Sequence, residues 1–256
     1  VACLLTLFLV GCLGSPEPYR PGYEKRPVDG KLEDLVVEDI TGESTMLSVL
    51  GPASKAAVES AAGTSLNELP PYHSVTAEMA GHQVRIVNRP FGGLPSFDLL
   101  MDPDASAGVW DHLSKSGVPP VGEEALEAVR LSYAVPAYGH ELGESYNPLE
   151  AGLIGSIDFA KGCYIGQEII ARIRTYGRVN RILRGLRLEG SATKGDEVFL
   201  GEKMAGTLSS GIANPDAALA LIHRDASELG TELRVDTKNG SVTAEVATLP
   251  FEKFAG

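Results

Sequence analysis

The C-terminal part of the chain restricts the fold most, because short apolar runs alternate there with glycines at regular intervals. The runs cover residues 182–188, 197–200, 204–209, 218–222, 232–235 and 241–247. Evenly spaced short strands with glycine turns are typical of small antiparallel barrels and sandwiches. We therefore predict a β-barrel over residues 181–256, with a domain boundary near residue 180.

The preceding residues, 31–180, mix hairpin patterns with helix patterns. Strand character is found at residues 35–40, 46–50, 75–79, 83–88 and 97–101, and helical spacing at 54–62, 105–115 and 123–133. Such a mixture predicts an α+β domain rather than a parallel βαβ array. A glycine-rich dinucleotide fingerprint and a Walker lysine loop are both missing from the sequence, so those nucleotide-binding folds have no support.

Residues 1–30 are expected to form an apolar leader and a Pro-rich linker. The run VACLLTLFLVGCL is too short to span a bilayer as a helix, but it is similar to the apolar part of a secretory signal. Its end also resembles a lipoprotein cleavage box, with Cys12 as the lipid attachment point. No Lys or Arg precedes the run. We therefore expect a cytoplasmic protein with a truncated or miscalled start, and keep a membrane-anchored lipoprotein as the alternative.

Charge and cysteine content narrow the range of functions. A net charge of −12 provides no diffuse basic surface, so direct nucleic-acid binding is not expected. Residues 161–187 differ, because they contain seven Lys and Arg residues and one acid. This basic strip suits a small polyanionic ligand, or it is a solvated strand face. One cysteine in the folded body, without paired Cys/His spacing, indicates neither an internal disulfide nor a metal site.

That cysteine, Cys163, lies in the segment KGCYIGQE, residues 161–168. The flanking glycines, Gly162 and Gly166, permit a tight backbone path close to a ligand. The ammonium group of Lys161 would favour the thiolate form of the neighbouring thiol. Cys163 is thus either a reactive or ligating thiol or a small buried hydrophobe. Shortly after it, Glu168 and Arg172 have the spacing of a helical ion pair.

Two further polar stretches are candidates for acid–base chemistry. They are PAYGHEL at residues 136–142, which contains Glu141, and NPLEAGL at residues 147–153, which contains Glu150. Carboxylates near Tyr and His side chains suit proton transfer. Pro- and Gly-rich polar stretches are more often ordinary loops, so the pattern alone is weak.

In chain order, these segments resemble the YgfZ branch of the folate-binding, aminomethyltransferase-like proteins. The resemblance includes GEEALEAVR at residues 122–130, both polar stretches, FAKGCYIGQE at 159–168 and RIRTYGRVNR at 172–181. Shorter similarities occur at residues 47–52 and 249–251. The resemblance covers residues 33–252, and its most specific part is the eight-residue cysteine motif.

This resemblance implies an α+β, aminomethyltransferase-like folate-binding domain followed by a small antiparallel barrel. It implies a monomeric tetrahydrofolate-binding accessory protein that supports assembly or repair of iron–sulfur enzymes, including a tRNA-modifying methylthiotransferase. Cys163 and Lys161 would be the reactive residues, and carboxylates would hydrogen-bond the pterin nitrogens. The basic residues between Arg172 and Arg184 would hold the glutamate tail. The implied cofactor-binding set is Arg130, Glu141, Glu150, Tyr164, Gly166, Gln167, Glu168 and Arg172.

One departure from the family keeps two alternatives open. Family members have a longer segment before the strand that starts here at Leu47, so part of the pterin-facing wall would be missing. That segment supplies an acidic catalytic residue in the aminomethyltransferase relatives, and residues 91–95 replace their Tyr-Thr-Gly turn. The alternatives are a folate-dependent aminomethyltransferase similar to the glycine cleavage T-protein, and a truncated or lipid-anchored remnant without catalysis.

Overall fold

The computed structural model describes residues 4–8, 39–160, 162–177, 179–213 and 216–251. The chain divides into two compact units, one of residues 1–90 and 94–121, the other of residues 91–93 and 122–256. The predicted α+β content and the C-terminal antiparallel barrel are both confirmed. Lys161, Cys12 and the Pro-rich linker lie outside the described residues. Within the described ranges, no helix is both long enough and apolar enough to span a bilayer.

The first unit is built on a five-stranded antiparallel sheet with the order β1-β2-β5-β4-β3. Two helices accompany the sheet, α1 (Ser54–Ala62) and α2 (Ser106–Lys115). The strands are β1 (Leu4–Phe8), β2 (Thr45–Leu50), β3 (Ser74–Met79), β4 (His82–Asn88) and β5 (Ser96–Met101).

One face of this sheet forms the core of the first unit. Alternate side chains of a strand point to opposite faces, so Leu47 and Val49 of β2 share a face with Leu99 of β5. Helix α2 contributes Val109 and Leu113, four residues apart and therefore on one side of the helix. All five of these side chains are fully buried. The core thus follows from the two apolar periodicities that the sequence shows.

Strand β1 lies at the edge of this sheet. It runs antiparallel to β2, with Leu4 opposite Leu50 and Phe8 opposite Met46. From the sequence these residues are expected in an apolar leader, whereas in the structure they extend the sheet. An apolar run of five residues has the usual length of a strand, and the free edge of β2 offers backbone donors and acceptors to it.

The second unit contains a closed antiparallel barrel with the strand order β10-β11-β6-β9-β8-β7. Two helices precede the barrel in sequence, α3 (Glu123–Ser132) and α4 (Gln167–Tyr176). The strands are β6 (Arg181–Leu188), β7 (Glu197–Leu200), β8 (Lys203–Ala213), β9 (Asp216–His223), β10 (Glu232–Thr237) and β11 (Gly240–Ala247).

Two apolar clusters hold the second unit together. The larger fills the barrel with inward-facing residues such as Leu186, Ile222 and Val235. The smaller brings Leu131 of α3 together with Leu219 of β9 and with other residues on the outer side of the barrel. Helix α3 is therefore packed against the barrel wall as part of the same unit.

Close backbone approach inside the barrel requires a glycine at residue 206. A Cβ atom there would lie 2.2 Å from the carbonyl oxygen of Leu221 and 2.9 Å from the Cα atom of Ile222. We expect Gly206→Ala to lower the free energy of unfolding by about 2–3 kcal/mol, because the two strands must move apart. Urea unfolding measures the change.

Gly155→Ala is the matched control, since nothing lies within 4 Å of a Cβ atom at that residue. Its effect should stay within about 0.5 kcal/mol. Equal stabilities of the two variants would show that β8 and β9 do not approach as closely as described.

Candidate functional site

The cysteine motif forms the turn that starts α4. Gly166 precedes the helix with φ of +88°, a left-handed conformation that favours glycine. The turn is closed by the backbone N–H of Gln167, which donates to the carbonyl of Tyr164 at 3.2 Å. Cys163 is exposed and immediately precedes this turn. The interpretation of Cys163 as a buried hydrophobe is therefore wrong, and the thiol is accessible.

A cavity of about 370 Å³ opens beside this turn. Its helical side is made by residues four apart on α4, namely Gln167, Ala171 and Thr175. The other lining residues are Asp158, Phe159 and Tyr164. Two aromatic rings, an amide and a carboxylate around a volume of this size suit a small planar heterocycle with hydrogen-bonding edges.

The ion pair predicted between Glu168 and Arg172 is confirmed, with an N–O distance of 2.8 Å. Both side chains are largely exposed, and neither lines the cavity. An exposed pair of this kind contributes only a few tenths of a kcal/mol to the stability of a helix. Gln167 and Tyr164 are thus the predicted ligand-binding residues that the structure brings together at the cavity.

Arg130 and Glu141 form a separate, buried cluster between α3, the loop after it and β8. The guanidinium of Arg130 donates to Glu141 Oε2 at 2.7 Å and to the carbonyl of Val135 at 2.7 Å. On the other side, Glu141 Oε1 accepts hydrogen bonds from the hydroxyls of Ser209 at 2.7 Å and Ser210 at 2.6 Å. The Glu141 side chain is completely buried.

The environment of this cluster keeps both groups ionised. Burial opposes the charged form of Glu141, but hydrogen bonds from Ser210 and Ser209 and the charge of Arg130 outweigh it, so the pKa lies below its ordinary value. Burial likewise opposes the charge on Arg130, yet hydrogen bonds and charges from Glu127 and Glu141 raise its pKa. Both oxygens of Glu141 already accept hydrogen bonds from the protein and are not available to a ligand. The cluster is therefore a structural clamp.

His140 joins the clamp, and its hydrogen bonds fix one tautomer. Its Nδ1 lies 3.0 Å from Ser210 Oγ and 3.3 Å from the carbonyl oxygen of Ser209. A carbonyl only accepts, and the proton of Ser210 Oγ is directed to Glu141 at 2.6 Å. Nδ1 of His140 must therefore carry the proton, which ties the loop of residues 136–142 to β8 at a second point.

Glu150 lies in a third cluster, next to the first barrel strand. Its Oε2 is 3.0 Å from Arg181 Nη2, and its backbone carbonyl accepts from the N–H of Leu183 at 2.9 Å. The guanidinium of Arg181 also lies 5.8 Å from the ring centroid of Tyr146. Arg130, Glu141 and Glu150, predicted from the motifs as one ligand-binding set, are therefore committed to protein partners away from the residues that line the cavity.

One buried polar cluster of the first unit does not emerge from the motifs. Asp98 of β5 is 3% exposed and accepts from Ser48 Oγ at 2.6 Å and from the guanidinium of Arg89. Ser96, two residues earlier on the same face, is fully buried, and its hydroxyl has no hydrogen-bond partner among the residues that the structure describes. The available signal is an aspartate inside the apolar strand SFDLLM, because a buried carboxylate needs partners.

The clamp predicts how stability responds to acid. Because the pKa of Glu141 is depressed, its contribution is complete above the ordinary value of 4.5 and is lost as the pH falls through the lower folded value. We expect Glu141→Gln to lower the free energy of unfolding by about 3 kcal/mol near neutral pH, since it leaves Arg130 less compensated. In acid, the difference in the free energy of unfolding between this variant and the wild type should become smaller, because Glu141 is then protonated in the wild type. Urea unfolding at both pH values tests this.

Glu168→Gln provides the control, because this side chain is 85% exposed in its ion pair. A change within about 0.5 kcal/mol is expected at either pH. The clamp would be refuted by a Glu141→Gln variant as stable as the control.

Comparisons with known proteins agree with this architecture. A model of the GCVT N-terminal domain matches residues 24–161, and a model of the glycine cleavage T-protein C-terminal barrel domain matches residues 181–253. The crystal structure of glycine cleavage system aminomethyltransferase T from Bartonella henselae superposes with a TM-score of 0.71 at 20% identity. That match covers 81% of this chain and 59% of the other, and it shows a shared fold.

Relatives of similar sequence carry the name aminomethyltransferase. The protein of Rippkaea orientalis is 28% identical over 226 residues, which are 86% of this chain and 61% of that protein. That of Synechococcus elongatus is 29% identical over 224 residues, 85% of this chain and 60% of that protein. This chain thus spans less than two thirds of either relative. With its N-terminal domain model matching more than half of the chain, the protein belongs to the glycine cleavage T-protein family, as a GCVT N-terminal domain followed by a T-protein C-terminal barrel.

Proposed function

We propose that this chain is a YgfZ-like tetrahydrofolate-binding accessory protein, which supports assembly or repair of iron–sulfur enzymes and, through one of them, tRNA modification. The single observation that carries the proposal is the cavity formed by the cysteine motif and α4. Family membership supports folate as the ligand class. The YgfZ-type motif KGCYIGQE supports the accessory role over aminomethyl transfer.

The lining of the cavity fits the pterin end of tetrahydrofolate. The pyrimidinone ring of this pterin is flat and carries amino, amide and ring N–H groups on one edge. Tyr164 and Phe159 line the cavity with aromatic rings. Gln167 and Asp158 line it with acceptor oxygens, which already accept from the backbone N–H groups of Tyr164 and Ala160 and would be shared with the N–H donors of a bound pterin. The volume of about 370 Å³ lies in the range of small-molecule sites. When bound, tetrahydrofolate would supply a carrier for one-carbon units.

The charged end of the ligand needs a basic surface. Tetrahydrofolate ends in a glutamate tail with two carboxylates, and the whole chain is acidic. The exception is the basic strip of residues 161–187, in which Arg172 of α4 is 66% exposed. We propose that this strip holds the tail. Glu150 and Glu141, in contrast, are used by Arg181 and Arg130 and are not proposed as ligand contacts.

Cys163 is proposed as the thiol through which the protein acts on the iron–sulfur enzyme that it supports, called here the client enzyme. It is exposed, and it immediately precedes the turn from Tyr164 to Gln167. A thiol that lies beside a ligand cavity and reaches solvent can meet a protein partner while the ligand is bound.

Aminomethyl transfer is the second candidate, and the names of the relatives favour it. The two functions differ in their products. An aminomethyltransferase should form methylene-tetrahydrofolate from tetrahydrofolate and an aminomethylated lipoyl carrier, whereas an accessory protein should bind the folate and leave it unchanged. Product formation that depends on this chain would establish the enzyme and overturn the accessory role.

Folate binding is tested by calorimetric titration of the chain with tetrahydrofolate. We expect Tyr164→Ala and Gln167→Ala each to weaken binding about tenfold, the equivalent of one lost stacking or hydrogen-bond interaction. Gln83→Ala, which changes an exposed residue of strand β4 in the first unit, is the matched control and should bind as the wild type does. No heat of binding at high folate concentration would contradict both candidate functions. Equal binding by all variants would show that folate occupies another site.

The role of the thiol is tested in cells that lack the endogenous protein. Cys163→Ala should lower the activity of iron–sulfur enzymes under oxidative stress several-fold, while tetrahydrofolate binding by the purified variant stays within about twofold of the wild type. Ser209→Ala changes a buried residue of the clamp and leaves the thiol intact. It therefore shows how far the iron–sulfur activity falls when folded protein is lost for another reason. Normal iron–sulfur activity with Cys163→Ala would remove the thiol from the proposal.

A further inference from the structure

One continuous segment of the chain supplies the described residues that line the cavity. They lie between Asp158 and Thr175, after Glu150 and before Arg181, the first residue of β6. We refer to residues 151–180 as the arm. The cavity is thus built inside the arm, and the barrel strands contribute no described residue to its lining.

The arm is held by little apolar packing. Ala151, its first residue, is buried, but none of its other described residues is. Among the residues that the structure describes, the arm contributes none to the two apolar clusters of the second unit. A ten-residue helix such as α4 is marginal on its own and is normally stabilised by packing of its apolar side. Segments with few buried contacts open at a low cost in free energy while the core stays folded, so the arm should open more readily than the barrel.

A pair of charged side chains closes the base of the arm. The Glu150 carboxylate accepts from the guanidinium of Arg181 through Oε2, at 3.0 Å, and through Oε1, at 3.4 Å. The same guanidinium donates to the carbonyl of Ser145 at 3.2 Å, and the N–H of Leu183 donates to the carbonyl of Glu150 at 2.9 Å. Because Glu150 directly precedes the arm and Arg181 directly follows it, their contact holds the two ends of the arm side by side.

Loss of the guanidinium would weaken this base more than the loss of an exposed ion pair would, because Glu150 is only 8% exposed. Its carboxylate would keep only the backbone N–H groups of Asn147 and Arg181, at the long distances of 3.4 and 3.3 Å. A carboxylate with so few partners is unfavourable in a buried position and would move toward water. The ends of the arm would then separate, and the entropy cost of closing this long loop would oppose the ordered arm.

We propose that Glu150 and Arg181 are positioning residues for the cavity, because they set how often the arm is ordered, and that the bound ligand stabilises the ordered arm. Neither residue lines the cavity. Only the ordered arm has the cavity, so the apparent dissociation constant of the ligand rises as the ordered fraction of the arm falls. That this ligand is tetrahydrofolate rests on the proposed function.

The test combines calorimetric titration of the full chain with tetrahydrofolate and backbone amide hydrogen exchange with and without it. In the wild type, the amides of α4 should exchange about tenfold more slowly at saturation than without the folate, whereas those of β9 should be slow in both states. Arg181→Gln should bind the folate about tenfold more weakly. Slow exchange of β9 in this variant excludes loss of the fold as the reason. Arg181→Lys keeps the charge beside Glu150 and should recover most of the affinity.

Arg234→Gln is the matched control. The side chain of Arg234 is 43% exposed and that of Arg181 is 41% exposed, and each forms an ion pair. Each guanidinium also lies near the centroid of an aromatic ring, at 4.8 Å for Arg234 and 5.8 Å for Arg181. The control variant should bind tetrahydrofolate like the wild type.

The inference is overturned if Arg181→Gln binds the folate as tightly as the control does. It is also overturned if folate binds the wild type but leaves the amide exchange of α4 unchanged. The proposed function would survive both results. No heat of binding with the wild type would instead remove the proposed function and this inference together.

Discussion

The buried guanidinium of Arg130 is the contact on which the second unit most depends. It joins three segments that are distant in sequence: helix α3, the loop that contains Glu141, and strand β8 through Ser210. A buried ion pair is stabilising only if every donor and acceptor has a hydrogen-bond partner. Here the two serines and backbone groups are those partners. Leu131, the next residue of α3, is fully buried against the barrel wall. Polar and apolar contacts thus fix the same helix.

The residues that the family resemblance groups together have two different roles in the structure. Arg130, Glu141 and Glu150 belong to the same family resemblance as Tyr164 and Gln167, yet the first three are used to attach loops to the barrel. The turn and helix around the cavity, which are not used in this way, are therefore the part of the second unit that we propose as the ligand site.

The sequence predicts the barrel and the α+β sheet because their signals are local. Glycine spacing, strand alternation and helical periodicity each involve neighbours in the chain, as does the pairing of Glu168 with Arg172. The clamp could not be predicted in this way, since Arg130 and Ser210 are 80 residues apart and no local pattern connects them. The buried cluster at Asp98 is missed for the same reason, as its hydroxyl partner Ser48 lies on another strand. Phe159, by contrast, lies two residues before the cysteine motif, and only the shape of the cavity identifies it as a lining residue.

The most direct test is to locate tetrahydrofolate on the protein. The changes in backbone amide chemical shifts during a titration with tetrahydrofolate give this location. The account predicts that the largest shifts occur at Tyr164, Gln167 and Ala171, around the cavity. Amides of the clamp, such as that of Glu141, should remain unchanged. The central claim is contradicted if the largest shifts occur at the clamp or around Asp98 while the amides of the cavity do not respond.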